Sequence, residues 1–317
     1  MKHKTFSLIR FVLVLGIIAS SDKCAADTFV DKCKNLYKSV IPQKKCTDST
    51  TQEYTVSKQS KIIIQNDHGS INIKTEWNQN KVFLKATKAA STQEKLAHIQ
   101  IKAQLTNDSI LIQPVCSKQE GDWRVDMELI VPTALALHVT TEQGDIKAKS
   151  LHSEAYLTTT LGDIEVDKAH QKLVAHSKEK GKILINHAEN TVKATTYYGD
   201  ITIADAQRSV LAQSHSGKIE LYCNQVPSTS IIDLNTTHGN IITHLPKDTN
   251  ARINAHTKKG TFLCKHFITL NPFTTKLDVN AWKQFKKGAD GVLGSGEAQI
   301  TLNSINSNIK VLEREIS

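Results

Sequence analysis

Aromatic residues make up only 5% of the 317-residue chain, and its 40 basic residues are almost all lysine. Beyond residue 26, arginine stands only at Arg124, Arg208, Arg252 and Arg314. Nucleic-acid surfaces cluster arginine among stacking aromatics, so the formal net charge of +9 reads as a solvated lysine surface and nucleic acid is excluded as a partner. Anionic glycans or lipid head groups remain as weak partners for such a surface. Cysteine is sparse too: six are present, with no Cys-x-x-Cys pair, which argues against zinc and dithiol redox chemistry. No segment approaches the ~20 consecutive apolar residues of a membrane helix. The chain also lacks Gly-x-Ser-x-Gly, a phosphate loop, His-Glu-x-x-His and a Ser-His-Asp order. The expectation is a protein that is no enzyme and holds neither cofactor nor metal.

What is present begins with an export signal. Lys2, Lys4 and Arg10 precede the apolar run Phe11 to Ala19, which is too short to span a bilayer, and Cys24-Ala25-Ala26 offers a small-residue cleavage site. Residues 1–26 are therefore expected to be a signal peptide, with the mature chain starting near Asp27 and carrying a charge of about +6 once four basic and one acidic residue leave with the leader. A lipid anchor on Cys24 is the rival reading; it calls for small apolar residues where Asp22 and Lys23 stand. After cleavage the chain is not expected to be an integral membrane protein. Export permits disulfides, and Cys33 with Cys46 could close a short loop.

Glycine, a polar residue and isoleucine then recur: Gly144-Asp145-Ile146, Gly162-Asp163-Ile164, Gly181-Lys182-Ile183, Gly199-Asp200-Ile201, Gly217-Lys218-Ile219 and Gly239-Asn240-Ile241. The glycines lie 18, 19, 18, 18 and 22 residues apart; Gly260-Thr261-Phe262 adds a unit, and Gly69-Ser70-Ile71 has the same shape earlier. Two and four residues after each glycine the chain is apolar, as at Ile146 and Ala148 or Ile183 and Ile185. Seven before it come Leu137, Ala155, Val174, Val192, Val210, Ile232 and Ile253, and five before it Val139, Leu157, His176, Ala194, Ala212, Leu234 and Ala255. Period-two alternation of this kind is a strand with one buried face.

Each unit is thus a strand, a glycine corner and a second strand, and one unit cannot bury its own apolar face. Stacking at the ~4.8 Å strand spacing sets isoleucine on isoleucine. The expected fold is all-β: a single-domain parallel β-solenoid (β-helix) with coils of about 18–22 residues, right-handed by the crossover rule. It should occupy residues 61–312, after a polar, Cys-containing segment at 27–60, with short insertions near 88–98 and 267–291. The first insertion carries Ser91-Thr92-Gln93-Glu94, a capping-box pattern. The second contains a short helical stretch at 278–285.

The ordered Gly-Asp-Ile strands, with Val131-Pro132 ahead of the first regular coil and the closing run Ile300 to Ile309, resemble the bacterial putative-adhesin domain family. The resemblance spans roughly residues 60–312. It implies a β-solenoid of the periplasm or cell surface and supplies no catalytic residues.

The residue types suggest contact chemistry. Tyr197-Tyr198 beside Gly199, with Trp282 and Phe285 in the insertion, are the candidate ligand or partner contacts, since exposed aromatics stack on sugars and anchor interfaces. Trp282 and Phe285 would equally serve to cover the solenoid's end. His152 and His170 each follow a corner glycine by eight residues and should stack; His215 and His238 flank later corners. Asp145 and Asp163 read as turn chemistry in preference to a calcium site. The function expected is a non-enzymatic envelope or cell-surface binding scaffold whose partner is an envelope protein or a surface glycan. An envelope-sensing partner protein and, further off, a β-helix polysaccharide-active enzyme are the alternatives.

Overall fold

The computed structural model describes residues 45–57, 59–77, 80–117, 122–270 and 286–314. Contacts divide the chain into Met1–Cys46 and Thr47–Ser317, and apart from Cys46 the strands below belong to the second unit. The strand before each corner glycine joins a 13-stranded sheet, the leading sheet, and the strand after it a 12-stranded one, the trailing sheet. The trailing sheet carries an isoleucine ladder. Ile71, Ile146, Ile164, Ile183, Ile201, Ile219, Ile241 and Ile309 are successive register partners, and none is more than 1% exposed. Facing it, the leading sheet aligns Ile62, Leu137, Ala155, Leu173, Val192, Val210 and Ile232. The core lies between these two sets, and the expected parallel β-solenoid is the fold.

Glycine is needed at the corners because backbones approach there. A Cβ on Gly181 would overlap the carbonyl oxygen of Gly162, and one on Gly199 that of Gly181. Gly69, at φ +129°, also needs the freedom that only glycine has. A buried hydroxyl three residues before most of these glycines, and four before Gly181, completes the corner. Thr141, Thr159, Thr196, Ser214 and Thr236 donate to the carbonyls of Gly69, Gly144, Gly181, Gly199 and Gly217 at 3.0–3.2 Å. Each hydroxyl thus satisfies itself by gripping the preceding coil, which removes the cost of burying it unbonded.

One expectation needs correcting. Val174 and His176 do not belong to the buried ladder: Leu173 and Ala175 point inward, and their neighbours face out. The 19-residue spacing holds one extra residue, which is absorbed in a register shift between Ser177 and Lys180 beside the corner. The stack also departs from chain order at both ends. The coil of Ser109–Cys116 and Trp123–Pro132 lies outside that of Lys61–His68 and Ile71–Trp77. Ala298–Ser304 and Ile309–Glu313 insert between the coils that begin at Ile231 and Ala251.

The ends are antiparallel. Lys81–Ala90 runs against Trp123–Pro132, Ile99–Leu105 against Ser109–Cys116, and Gly288–Leu293 against Ala251–Thr257. Cys46–Thr55, within the segment read as non-repetitive, is a strand beside Lys81–Ala90. The short helix α1 is Gln93–Ala97; its cap is Thr92, whose Oγ1 accepts from the Lys95 amide at 3.2 Å.

Candidate functional site

Strand alternation fixes which side chains a coil offers to solvent, and register fixes their neighbours. In Val192–Tyr198, Thr196 points inward to the Gly181 carbonyl, so Tyr197 points out; Tyr198, at the corner, is exposed as well. The two tyrosines are 46% and 51% exposed. One coil on, the His215 ring stacks on Tyr197 with centroids 4.5 Å apart and planes 14° from parallel. Tyr198 stands edge-on to both, at 83° and 84°. His238, another coil along, lies 5.6 Å from His215 and approaches the Asn306 amide nitrogen at 3.0 Å. The sequence placed Tyr197 and Tyr198 as contacts and the histidines beside the corners; the stack brings all four into one row.

Next to this row runs a file of amides. Gln213 is in register with Asn235 and Asn235 with Asn303. Asn303 Nδ2 donates to Asn235 Oδ1 at 2.9 Å, and Asn235 Nδ2 to Asp233 at 2.7 Å. They line a groove of about 300 Å³ with Thr237, His256 and Lys258. On the other side of the tyrosines, Lys180 is the register partner of Tyr198 and is exposed.

Two further clusters lie elsewhere. At the far corner of each coil, the His152 and His170 rings stack at 4.5 Å, as their spacing predicts. His170 Nδ1 meets Glu189 at 2.8 Å, and His187 bridges Glu189 and Asp205 at 3.3 and 2.7 Å. The hydrogen bond with His170 is the main reason the Glu189 carboxyl is held down to about 2, with the His170 charge, Lys168 and His187 adding to it against desolvation. On the outer trailing sheet, the Tyr222 and His244 rings stack at 4.2 Å. Glu220 accepts from the Tyr222 hydroxyl at 2.8 Å and pairs with Lys218. Desolvation opposes the lowering of the Glu220 pKa, and the bonds from Lys218 and Tyr222 more than offset it. Burial also pushes the His244 imidazole down.

The stack of His152 on His170 was read from the sequence; the rest of both clusters was missed, although the signal was there. His187 and Asp205 are 18 residues apart and Tyr222 and His244 are 22, each one coil length. Glu189 and Asp205 are bonded by histidines of the preceding coil, and the Tyr222–His244 stack joins successive coils, so both clusters act as clamps between coils. Among the described residues, no group of three or more His, Cys, Asp or Glu could hold a metal. Asp145 and Asp163 have turn roles: their Oδ1 atoms accept from the backbone amides of Asp163 and Lys182 at 2.9 and 2.7 Å. Trp282, Phe285 and Cys33 lie outside the described residues, and with Cys33 the expected bridge to Cys46.

Stacked coils with a patterned outer face define the class: a strand-turn-strand β-solenoid that presents side chains in rows. More particularly, the family model Toastrack DUF4097 matches residues 40–271, and the chain belongs to that family. Among solved structures it is similar to a putative adhesin from Bacteroides fragilis NCTC 9343, at 12% identity over 84% of this chain and 97% of that one, with a TM-score of 0.42. It is also similar to a putative cell adhesion protein from Clostridium sporogenes ATCC 15579, at 11% identity over 85% and 100% of the two chains, with a TM-score of 0.27. No curated protein matches. No described helix is long and apolar enough to cross a membrane.

Proposed function

We propose that the chain is an exported, non-enzymatic binding scaffold of the cell envelope or cell surface, and that its contact face is the row of Tyr197, Tyr198, His215 and His238. The observation that carries this reading is the pair of tyrosines, each about half exposed at the end of a strand whose other outward side chains, Lys193 and Thr195, carry no ring. Exposed aromatics on a preordered surface bind at little entropic cost, because the backbone beneath them is already fixed. Export rests on the basic and apolar pattern of residues 1–26.

The test is retention of the purified protein on fractionated envelope and on a panel of surface glycans, set against the Tyr197→Ala/Tyr198→Ala double variant. Saturable retention that the double variant loses supports the reading. Retention unchanged in the variant removes this face. Retention only by the producing cell's own envelope proteins would move the role to envelope sensing, and reducing ends released from a polysaccharide would overturn the non-enzymatic assignment.

A further inference from the structure

Three observations on the tyrosine face go beyond contact in general and point to a chemical class of ligand. The Tyr198 ring is turned edge-on to Tyr197 and His215, so its face is not covered by their stack, and it is 51% exposed. An open aromatic face of this kind suits the C–H face of a sugar ring. The amides of Gln213, Asn235 and Asn303 follow at one strand spacing each, about 4.8 Å. Each amide offers both donors and acceptors, which hydroxyl groups need and an apolar partner does not. A protein interface core would instead be apolar and poor in charge. Here the exposed apolar side chains are Leu161, Leu211, Ile231 and Ile305, and Leu211 and Ile231 have the polar Asp233 and Gln299 as register partners.

Charge gives the third observation. Lys178 and Lys180 are exposed on the strand beside Tyr198, with Glu179 between them, and Lys258 is exposed at the far end of the amide groove. On this face Asp233 is bonded by Asn235 and Glu142 by Thr160. The chain carries +9 with its leader and about +6 from residue 27 on, since four basic residues and one acidic lie before it. We infer that the face binds a linear polysaccharide with carboxylates on its sugar rings, laid along the stack from Lys180 over Tyr198 and Tyr197 to the amide groove and Lys258. From the coil of Lys180 to that of Lys258 is five strand spacings in the sheet order, about 24 Å, long enough for several sugar rings. This inference rests on the contact face proposed above and adds the ligand's class and direction.

The experiment is calorimetric titration of the purified full chain with three acidic polysaccharides (polygalacturonate, alginate and hyaluronate) and with two neutral ones (methyl-esterified polygalacturonate and dextran). At least one acidic polymer is expected to bind saturably, with affinity falling as salt rises and at least tenfold weaker for the neutral polymers. Tyr198→Ala, Tyr197→Ala and Lys180→Gln should each weaken it at least fivefold, and Lys310→Gln, an exposed lysine on the other sheet, should not. Unchanged far-UV spectra show that the variants are folded. No binding by any acidic polymer, equal binding of the neutral ones, or an equal loss in Lys310→Gln would each overturn the inference. If envelope retention still depends on Tyr197 and Tyr198 while no acidic polymer binds or competes, the ligand class falls and the contact face stands. If an acidic polymer binds identically to wild type and both tyrosine variants, both fall.

Discussion

At the scale of single residues, the corners carry the most specific chemistry. A methyl group on Gly181 would overlap the Gly162 carbonyl first and the Ser177 hydroxyl next, and backbone in a stacked sheet cannot step aside. Gly181→Ala should therefore cost about 3 kcal/mol, the upper end of overpacking penalties, read as a lower urea midpoint. Thr159→Val keeps the shape but removes the bond to the Gly144 carbonyl, and should cost roughly 0.5–1.5 kcal/mol in the same measurement. Tyr198→Ala, half exposed, should shift the midpoint by no more than about 0.5 kcal/mol. Burial pushes the Cys223 thiol up to about 12, and its side chain is 1% exposed. It should resist a thiol reagent in the native protein at neutral pH and react fully in denaturant; fast native labelling at Cys223 would mean the core there opens. The glycine spacing showed where the corners fall, but the reason for glycine was only half legible: positive φ is needed at Gly69, while close approach rules at Gly181 and Gly199.

At the scale of strands and coils, period-two alternation was enough to locate the strands and the isoleucine ladder, because each isoleucine repeats the same local pattern. It failed at Leu173–Lys180, where counting back from Gly181 crosses a register shift and moves every side chain to the opposite face. His176 consequently faces outward, and partial burial, with Lys178 and Lys193 nearby, pushes its imidazole down. The insertion of Ala298–Ser304 and Ile309–Glu313 into the stack was also illegible, since strand patterns carry no record of which neighbour a late strand chooses. That placement has a consequence. Ending the chain after Leu293 removes an internal coil, not a terminal one, and leaves Ile231–His238 and Ala251–Thr257 without their shared partner. The truncated protein should lose its cooperative melt, followed by far-UV circular dichroism. A sharp transition close to that of the full chain would contradict the stack order.

At the scale of the molecule, register turns residues one coil apart into neighbours, and this builds both the clamps and the proposed contact face. The Glu189 clamp makes stability depend on pH in a defined direction. Its folded value, about 2, lies below the ordinary 4.5, so its contribution is complete above about pH 4.5 and is lost as pH falls towards 2. Urea midpoints at about pH 5 and pH 3 should fall further for the wild type than for Glu189→Gln; parallel declines would show that the clamp is not felt. The contact face was legible in part. Tyr197 and Tyr198 stand out in a chain poor in aromatics, but their grouping with His215, His238 and the amide groove needed the coil register.

The central claim is that this face, and not another, meets the envelope. Oxidative footprinting of the protein with and without bound envelope fraction tests it most directly, since exposed tyrosine and histidine report their own coverage. Protection at Tyr197, Tyr198 and His215, with Tyr222 and His244 on the opposite sheet unchanged, is the expected result. Protection at Tyr222 and His244 with the corner tyrosines as reactive as in the free protein would contradict it.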